Sequence, residues 1–139
     1  MRPIQLFFRN SVIFILAFTA IQCSNDKNCE KAMCTQIFAM VTVKLTDTTN
    51  SNLSGISTQT VLLSTAQTIH SQSEPDNFQV NTFTVADDSD LKEIGYNANQ
   101  KVELRIFKNG NLIKTVPFTI KTDCCHVSKT EGPLEVLLN

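Results

Sequence analysis

The chain has 139 residues and a formal net charge of −1, with 12 basic against 13 acidic side chains. No basic stripe argues for nucleic acid, and no acidic block for a charged tail. Tryptophan is absent and Tyr96 is the one tyrosine, which removes most of the rings on which carbohydrate readers stack sugars.

The N-terminal stretch sets the compartment. Residues 12–23 read VIFILAFTAIQC, with Arg2 and Arg9 ahead of them. Positive charge followed by a short apolar core is the layout of a secretory signal peptide. Residues 12–20 are too few to span a bilayer, which takes about 20 apolar residues in a helix. The ending Ala20-Ile21-Gln22-Cys23 resembles the lipobox of bacterial lipoproteins. Gln22 stands where a small residue is usual and Ala20 where leucine is usual; lipoproteins of the Bacteroidota are looser at both positions. The resemblance implies that residues 1–22 are removed and that Cys23 carries acyl chains, anchoring the protein to a membrane. The ordinary signal-peptidase alternative at Ala17-Phe18-Thr19 is a poor match to A-x-A.

Taking 22 residues from 139 leaves 117, enough for one domain with its own core. Residues 23–34 form a lipidated N-terminus, a polar tether and a spaced pair, Cys29 and Cys34; residues 35–139 form the folded domain. Ile37, Ala39, Val41, Val43 and Leu45 alternate as on a half-buried strand, and Phe38 and Met40 predict a cover over its start. Turn chemistry fills residues 47–55. A strand follows over 58–65, with Val61 and Leu63 on one side, and Thr68-Ile69-His70 either prolongs it or forms a small kink. Residues 71–77 read as a loop. Residues 78–85 read as a strand with a bulge between Val80 and Phe83. Residues 87–94, DDSDLKEI, predict one helical turn capped by Asp88, Ser89 or Asp90.

The clearest local signal is a hairpin. Val102, Leu104 and Ile106 alternate inward, Asn109-Gly110 follows, and Val116, Phe118 and Ile120 alternate in turn. Asn-Gly suits a type I′ turn, whose two central residues take φ > 0. Pro117 has no N–H to donate, which predicts a sheet edge beside it. The strand is expected to continue to residue 127, a turn to span 128–133, and a last strand to span 134–138. An all-β antiparallel sandwich of about seven strands accounts for this pattern.

With Cys23 lipidated, Cys29, Cys34, Cys124 and Cys125 remain, an even set suited to disulfides in an oxidising compartment. Neighbouring residues on a strand point to opposite faces, which disfavours a bond between Cys124 and Cys125. If Phe118 and Ile120 face inward, so does Cys124, and Cys125 faces out with Cys34. That leans toward Cys34–Cys125 with Cys29–Cys124 over the reverse pairing.

The pattern Cys29-x4-Cys34-Thr35, then Val41-Thr42-Val43-Lys44-Leu45, then Asp123-Cys124-Cys125-His126-Val127 resembles a group of small Bacteroidota cell-envelope lipoproteins. The resemblance implies an immunoglobulin-like or transthyretin-like sandwich in the cell envelope. Ser24 after Cys23 is compatible with the outer membrane, on its periplasmic or surface side. The resemblance brings no activity and no cofactor.

Zinc on the four cysteines and His126 is the alternative to disulfides, but adjacent cysteines do not fit C-x2–4-C spacing. Asp87, Asp88 and Asp90 offer oxygen ligands for calcium but lack the frame of an EF-hand. His70 and His126 read as ordinary strand or loop residues. The chain has no G-x-S-x-G, P-loop, H-E-x-x-H or dinucleotide fingerprint. Expectation therefore favours a non-catalytic binding or adhesion module for a glycan, peptide or envelope protein, using loops 47–55, 71–77 and 87–95. A structural accessory subunit pairing through a strand edge is the alternative, and a small hydrolase a distant third.

Overall fold

The computed structural model describes residues 29–48, 53–77 and 79–138; Cys23 and the signal segment lie outside them. These residues form an all-β sandwich of eight strands: β1 (Met40–Asp47), β2 (Ile56–Leu62), β3 (Gln67–Gln72), β4 (Thr82–Asp87), β5 (Asn99–Lys108), β6 (Asn111–Thr122), β7 (Val127–Glu131) and β8 (Glu135–Leu138). One sheet has the order β4-β1-β8 and the other β3-β2-β5-β6-β7. All pairs are antiparallel except β1 with β8. A short 3-10 turn (Asp88–Asp90) and a one-turn helix, α1 (Leu91–Ile94), join β4 toward β5. No helix among the described residues is long and apolar enough to cross a membrane.

Alternation builds the core. Val41, Val43 and Leu45 of β1 and Phe83 and Val85 of β4 meet Val102, Leu104, Ile106, Val116, Phe118 and Ile120 of the β5–β6 hairpin. Asn109 (φ 51°) and Gly110 (φ 81°) make the expected left-handed turn between β5 and β6. Pro117 lies opposite Glu103. The carbonyls of Thr119 and Lys121 face β7, where they accept from the Thr130 and Ser128 hydroxyls. Period two puts the Pro117 nitrogen on the same side, beyond the end of β7, so the missing N–H costs no ladder bond.

Several expectations are corrected. β1 begins at Met40; Ile37 and Phe38 precede it and both are exposed, as is Met40, so none of the described residues covers the strand start. The core face of β2 carries Ile56, Thr58, Thr60 and Leu62, because these stand opposite Lys108, Ile106, Leu104 and Val102 of β5. Leu63 is exposed. Residues 67–72 form a strand of their own after a turn at Ala66 (φ 58°). Val80 lies outside β4, before a reversal at Asn81 (φ 58°). The β4 bulge falls at Val85, which the β1 register skips. Asp87, one residue earlier than expected, caps the helical turn in a capping box with Asp90. The chain does not run straight from β6 to residue 127. It bends at Asp123, whose carboxylate accepts the N–H groups of Cys125 and His126, and returns as β7.

β7 runs antiparallel to β6, and the chain then crosses at Gly132 to join the other sheet as β8. Gly132 takes φ 123°, and a Cβ there would sit 2.2 Å from the Phe118 ring. Only glycine lets the crossing pack against that ring.

Candidate functional site

Strand polarity divides the sandwich into two poles. The N-terminal segment 29–39, the link from β4 to β5 and the β6–β7 bend gather at one pole. The β1–β2 loop, the β3–β4 loop and the Asn109-Gly110 turn gather at the other. β5, with ten residues, sets the separation at roughly 30 Å.

The first pole is a clamp. Cys29 is bonded to Cys124 and Cys34 to Cys125, with Cα separations of 5.2 and 5.3 Å. This is the pairing toward which the strand facing leaned, although the cysteines sit in a bend and not on a continuous strand. The Asn97 amide donates to the sulfurs of Cys29 and Cys124, both at 3.4 Å. Both sulfur pairs are consumed, so neither free-thiol nor zinc-thiolate chemistry is open to them.

The two histidines take up specific posts that the sequence does not predict. Asp88 accepts the N–H groups of Ala39 at 2.8 Å and Val127 at 2.9 Å, and lies 2.8 Å from His126 Nδ1. A carboxylate only accepts, so Nδ1 carries the proton toward it. In the neutral ring Nε2 then accepts from the Thr35 hydroxyl at 2.9 Å. Burial pushes the Asp88 carboxyl up, but the Ala39 and Val127 N–H groups and His126 outweigh it and hold the carboxyl below its usual range. The Cys125 and His126 N–H groups likewise hold Asp123 low.

Thr35, His126 and Asp88 stand in the order hydroxyl, base, orienting carboxylate. Acyl transfer also needs donors for a developing oxyanion. The adjacent N–H groups of Cys125, His126, Val127 and Ala39 are all committed to the Asp123 and Asp88 carboxylates. The contacts join the N-terminal segment to the β4–β5 link and to the β6–β7 bend.

His70, on β3, reaches the same acidic segment from the other sheet. Its Nδ1 lies 3.1 Å from Asp90 and 4.0 Å from Asp87. The hydrogen bond to Asp90 raises the imidazole pKa; burial opposes this, and the charges of Asp90, Asp87 and Asp76 add to it. The three ligand atoms of His70, Asp87 and Asp90 lie within 4.8 Å of one another and could hold a metal ion. This set differs from the three aspartates considered for calcium, because Asp88 is turned away toward His126. A protonated His70 supplies the positive charge that an ion would otherwise bring.

The second pole is concave. Leu53, Ser54, Gly55 and Ile56 from one loop face Ser73, Glu74, Pro75 and Asn81 from the other across a space of about 620 Å3. Two of the three loops expected to carry recognition meet here; the third, 87–95, lies at the clamp. The floor is fastened: Asn109 N–H donates to the Gly55 carbonyl at 2.9 Å, and Lys108 lies 3.6 Å from the nearly buried Asp47 carboxylate. The wall from β3 to β4 is fastened too. Gln72 accepts the Thr84 N–H, and the Asp76 N–H donates to the Thr82 carbonyl. A smaller, apolar hollow of about 350 Å3 lies between Leu63, Pro117, Phe118 and the Gly132-Pro133 crossing.

Comparison with known protein families, with characterised proteins and with solved structures gives no match for this chain.

Proposed function

We propose that the chain is a lipid-anchored lipoprotein of the bacterial cell envelope, at the outer membrane, whose sandwich is a non-catalytic binding module. The carrying observation is the opposition of the two poles. The segment that follows Cys23 is clamped by two disulfides to one end, and the concavity between two loops lies at the other. A tether at the clamped end leaves the concave end free to meet a ligand. Disulfides persist in oxidising compartments such as the periplasm and cell surface, which supports export. Serine hydroxyls, the Asn81 amide and the Glu74 carboxylate along the concavity suit a polar ligand, a glycan or peptide of the envelope, better than an apolar one.

The accessory-subunit reading draws less support, because the β4, β6, β7 and β8 edges are blunted. On β4, Gln72 and Asp76 occupy the groups a partner strand would use. The open stretch of β6 carries an irregularity at Ile113 and Pro117, and β7 and β8 are only five and four residues long.

Two measurements test the proposal. Intact-mass analysis of the mature protein, with and without reductant, is expected to show acyl chains on Cys23 and a gain of four hydrogens on reduction. Photo-crosslinkers placed at Ser54 and Ser73 are expected to capture an envelope component in cells, and one placed at Gln59 on the outer face of β2 is not. A mature form lacking acyl mass overturns the anchoring. Equal capture from all three sites overturns the binding pole.

A further inference from the structure

We propose that the clamped pole seats on the lipid surface through an apolar strip formed by Met33, Ile37, Phe38 and Met40, an inference that rests on the anchoring of Cys23 proposed above. These four side chains fall within eight residues and are 97%, 72%, 57% and 46% exposed. A run of exposed large apolar side chains is uncommon on a monomeric surface and marks something that covers it. This run is also held in place. The Cys34–Cys125 bond, the Thr35–His126 contact and the Ala39 N–H to Asp88 fix the backbone at points within it. The apolar groups are thus presented outward by a fixed segment.

Chain length names the occupant. Cys29 is pinned to Cys124 six residues after Cys23, and six residues span at most roughly 20 Å. With acyl chains on Cys23, the clamped pole cannot leave the bilayer surface by more than that. The strip begins four residues beyond the pin, on the part of the fold nearest the lipid. Its side chains match those that bury at the boundary between headgroups and acyl chains, roughly 5–10 Å deep. The seat would also orient the molecule, since the concave pole roughly 30 Å away then points off the membrane.

The chain has no tryptophan, so an introduced one reports without background. The experiment uses the mature acylated protein in phosphatidylethanolamine–phosphatidylglycerol vesicles whose acyl chains carry bromine. Phe38→Trp places the reporter in the strip, and Leu112→Trp places it on the exposed hairpin of the far pole. The expected result is blue-shifted emission and quenching severalfold stronger for Phe38→Trp than for Leu112→Trp. Adding Ile37→Ser to Phe38→Trp is expected to reduce that quenching. Acylated protein in which Phe38→Trp is no more quenched than Leu112→Trp overturns the seat and leaves the anchor standing. Blue-shifted Phe38→Trp emission without quenching, at twice the monomer mass, assigns the strip to a second copy and also overturns it. Protein without acyl mass overturns the anchor; added to the same vesicles, it supports the seat if Phe38→Trp is selectively quenched and overturns it if not.

Discussion

The Asp88 carboxylate lies 2.8 Å from His126 Nδ1 and ties its own segment to two others that are distant in sequence. It holds the entry to β1 through Ala39, the start of β7 through Val127, and the bend between β6 and β7 through His126. The disulfides fix the same neighbourhood covalently, so the clamp has both a covalent and a hydrogen-bonded layer.

Asp88→Ala removes the acceptor for two N–H groups and an imidazole in a site that is largely shielded. Bonds to a charged acceptor are worth about 1.5–3 kcal/mol each, and the abandoned donors carry a further desolvation cost partly offset by water. The expected loss is about 3 kcal/mol in urea unfolding. Thr35→Ala removes only an exposed contact and is expected to cost under about 1 kcal/mol. A larger loss for Thr35→Ala than for Asp88→Ala contradicts this ranking.

The two disulfides are expected to be strongly non-additive. Their partners are separated by 95 and 91 residues, so the two rings nearly coincide. Whichever bond is left closes the long loop, worth about 5 kcal/mol, and the other adds only a ring of about eight residues, worth about 2–3 kcal/mol. Replacing either pair by serine is expected to cost about 2–3 kcal/mol, and replacing all four about 7 kcal/mol. Denaturant unfolding of the oxidised variants checks it. A loss near 5 kcal/mol for each pair alone contradicts the shared loop.

Stability is expected to fall on both sides of an intermediate pH. His70 has a raised pKa, so in the folded protein it keeps its proton to higher pH than in the unfolded chain. Its stabilisation is complete below the ordinary value of 6.5 and is lost as pH rises through the raised one. Asp88 and Asp123 are held low, so theirs is complete above the ordinary 3.8 and lost as pH falls through the depressed values. Thermal unfolding from pH 2 to pH 9 is expected to show both limbs. His70→Gln is expected to flatten the upper limb and leave the lower one. An unchanged upper limb in that variant removes His70 as its source.

Much of this was legible in the sequence where burial imposes a period. The β5–β6 hairpin alternates because one face packs into the core, and Asn109-Gly110 fits the turn it occupies. The strands with the weakest sequence signal are edge strands. β3, QTIHSQ, and β7, VSKTE, bury little, so they carry no alternation; backbone pairing with β2 and β6 makes them strands. Four consecutive residues at 87–90 can each cap a helix, and the choice of Asp87 depends on where β4 ends. The posts of His70 and His126 arise from contacts across the fold, which spacing along the chain does not encode. Ile37 has the apolar side chain and strand spacing of a core residue, yet it belongs to an exposed strip.

β2 carries two threonines where the core asks for hydrocarbon. Thr58 and Thr60 are each 1% exposed, face Ile106 and Leu104 across the ladder, and have Oγ1 atoms with no hydrogen-bond partner. A buried hydroxyl without a partner costs about 1–3 kcal/mol. Valine has nearly the same shape, favours strands, and replaces that hydroxyl with a methyl group. Thr58→Val and Thr60→Val are each expected to raise stability by about 1 kcal/mol, measured as a shift in the urea midpoint at unchanged m-value. The two side chains are near neighbours on one strand face, so the double variant tests whether their gains add. Destabilisation by either change would show that the hydroxyl has a partner in solution, such as a buried water bridging to the backbone.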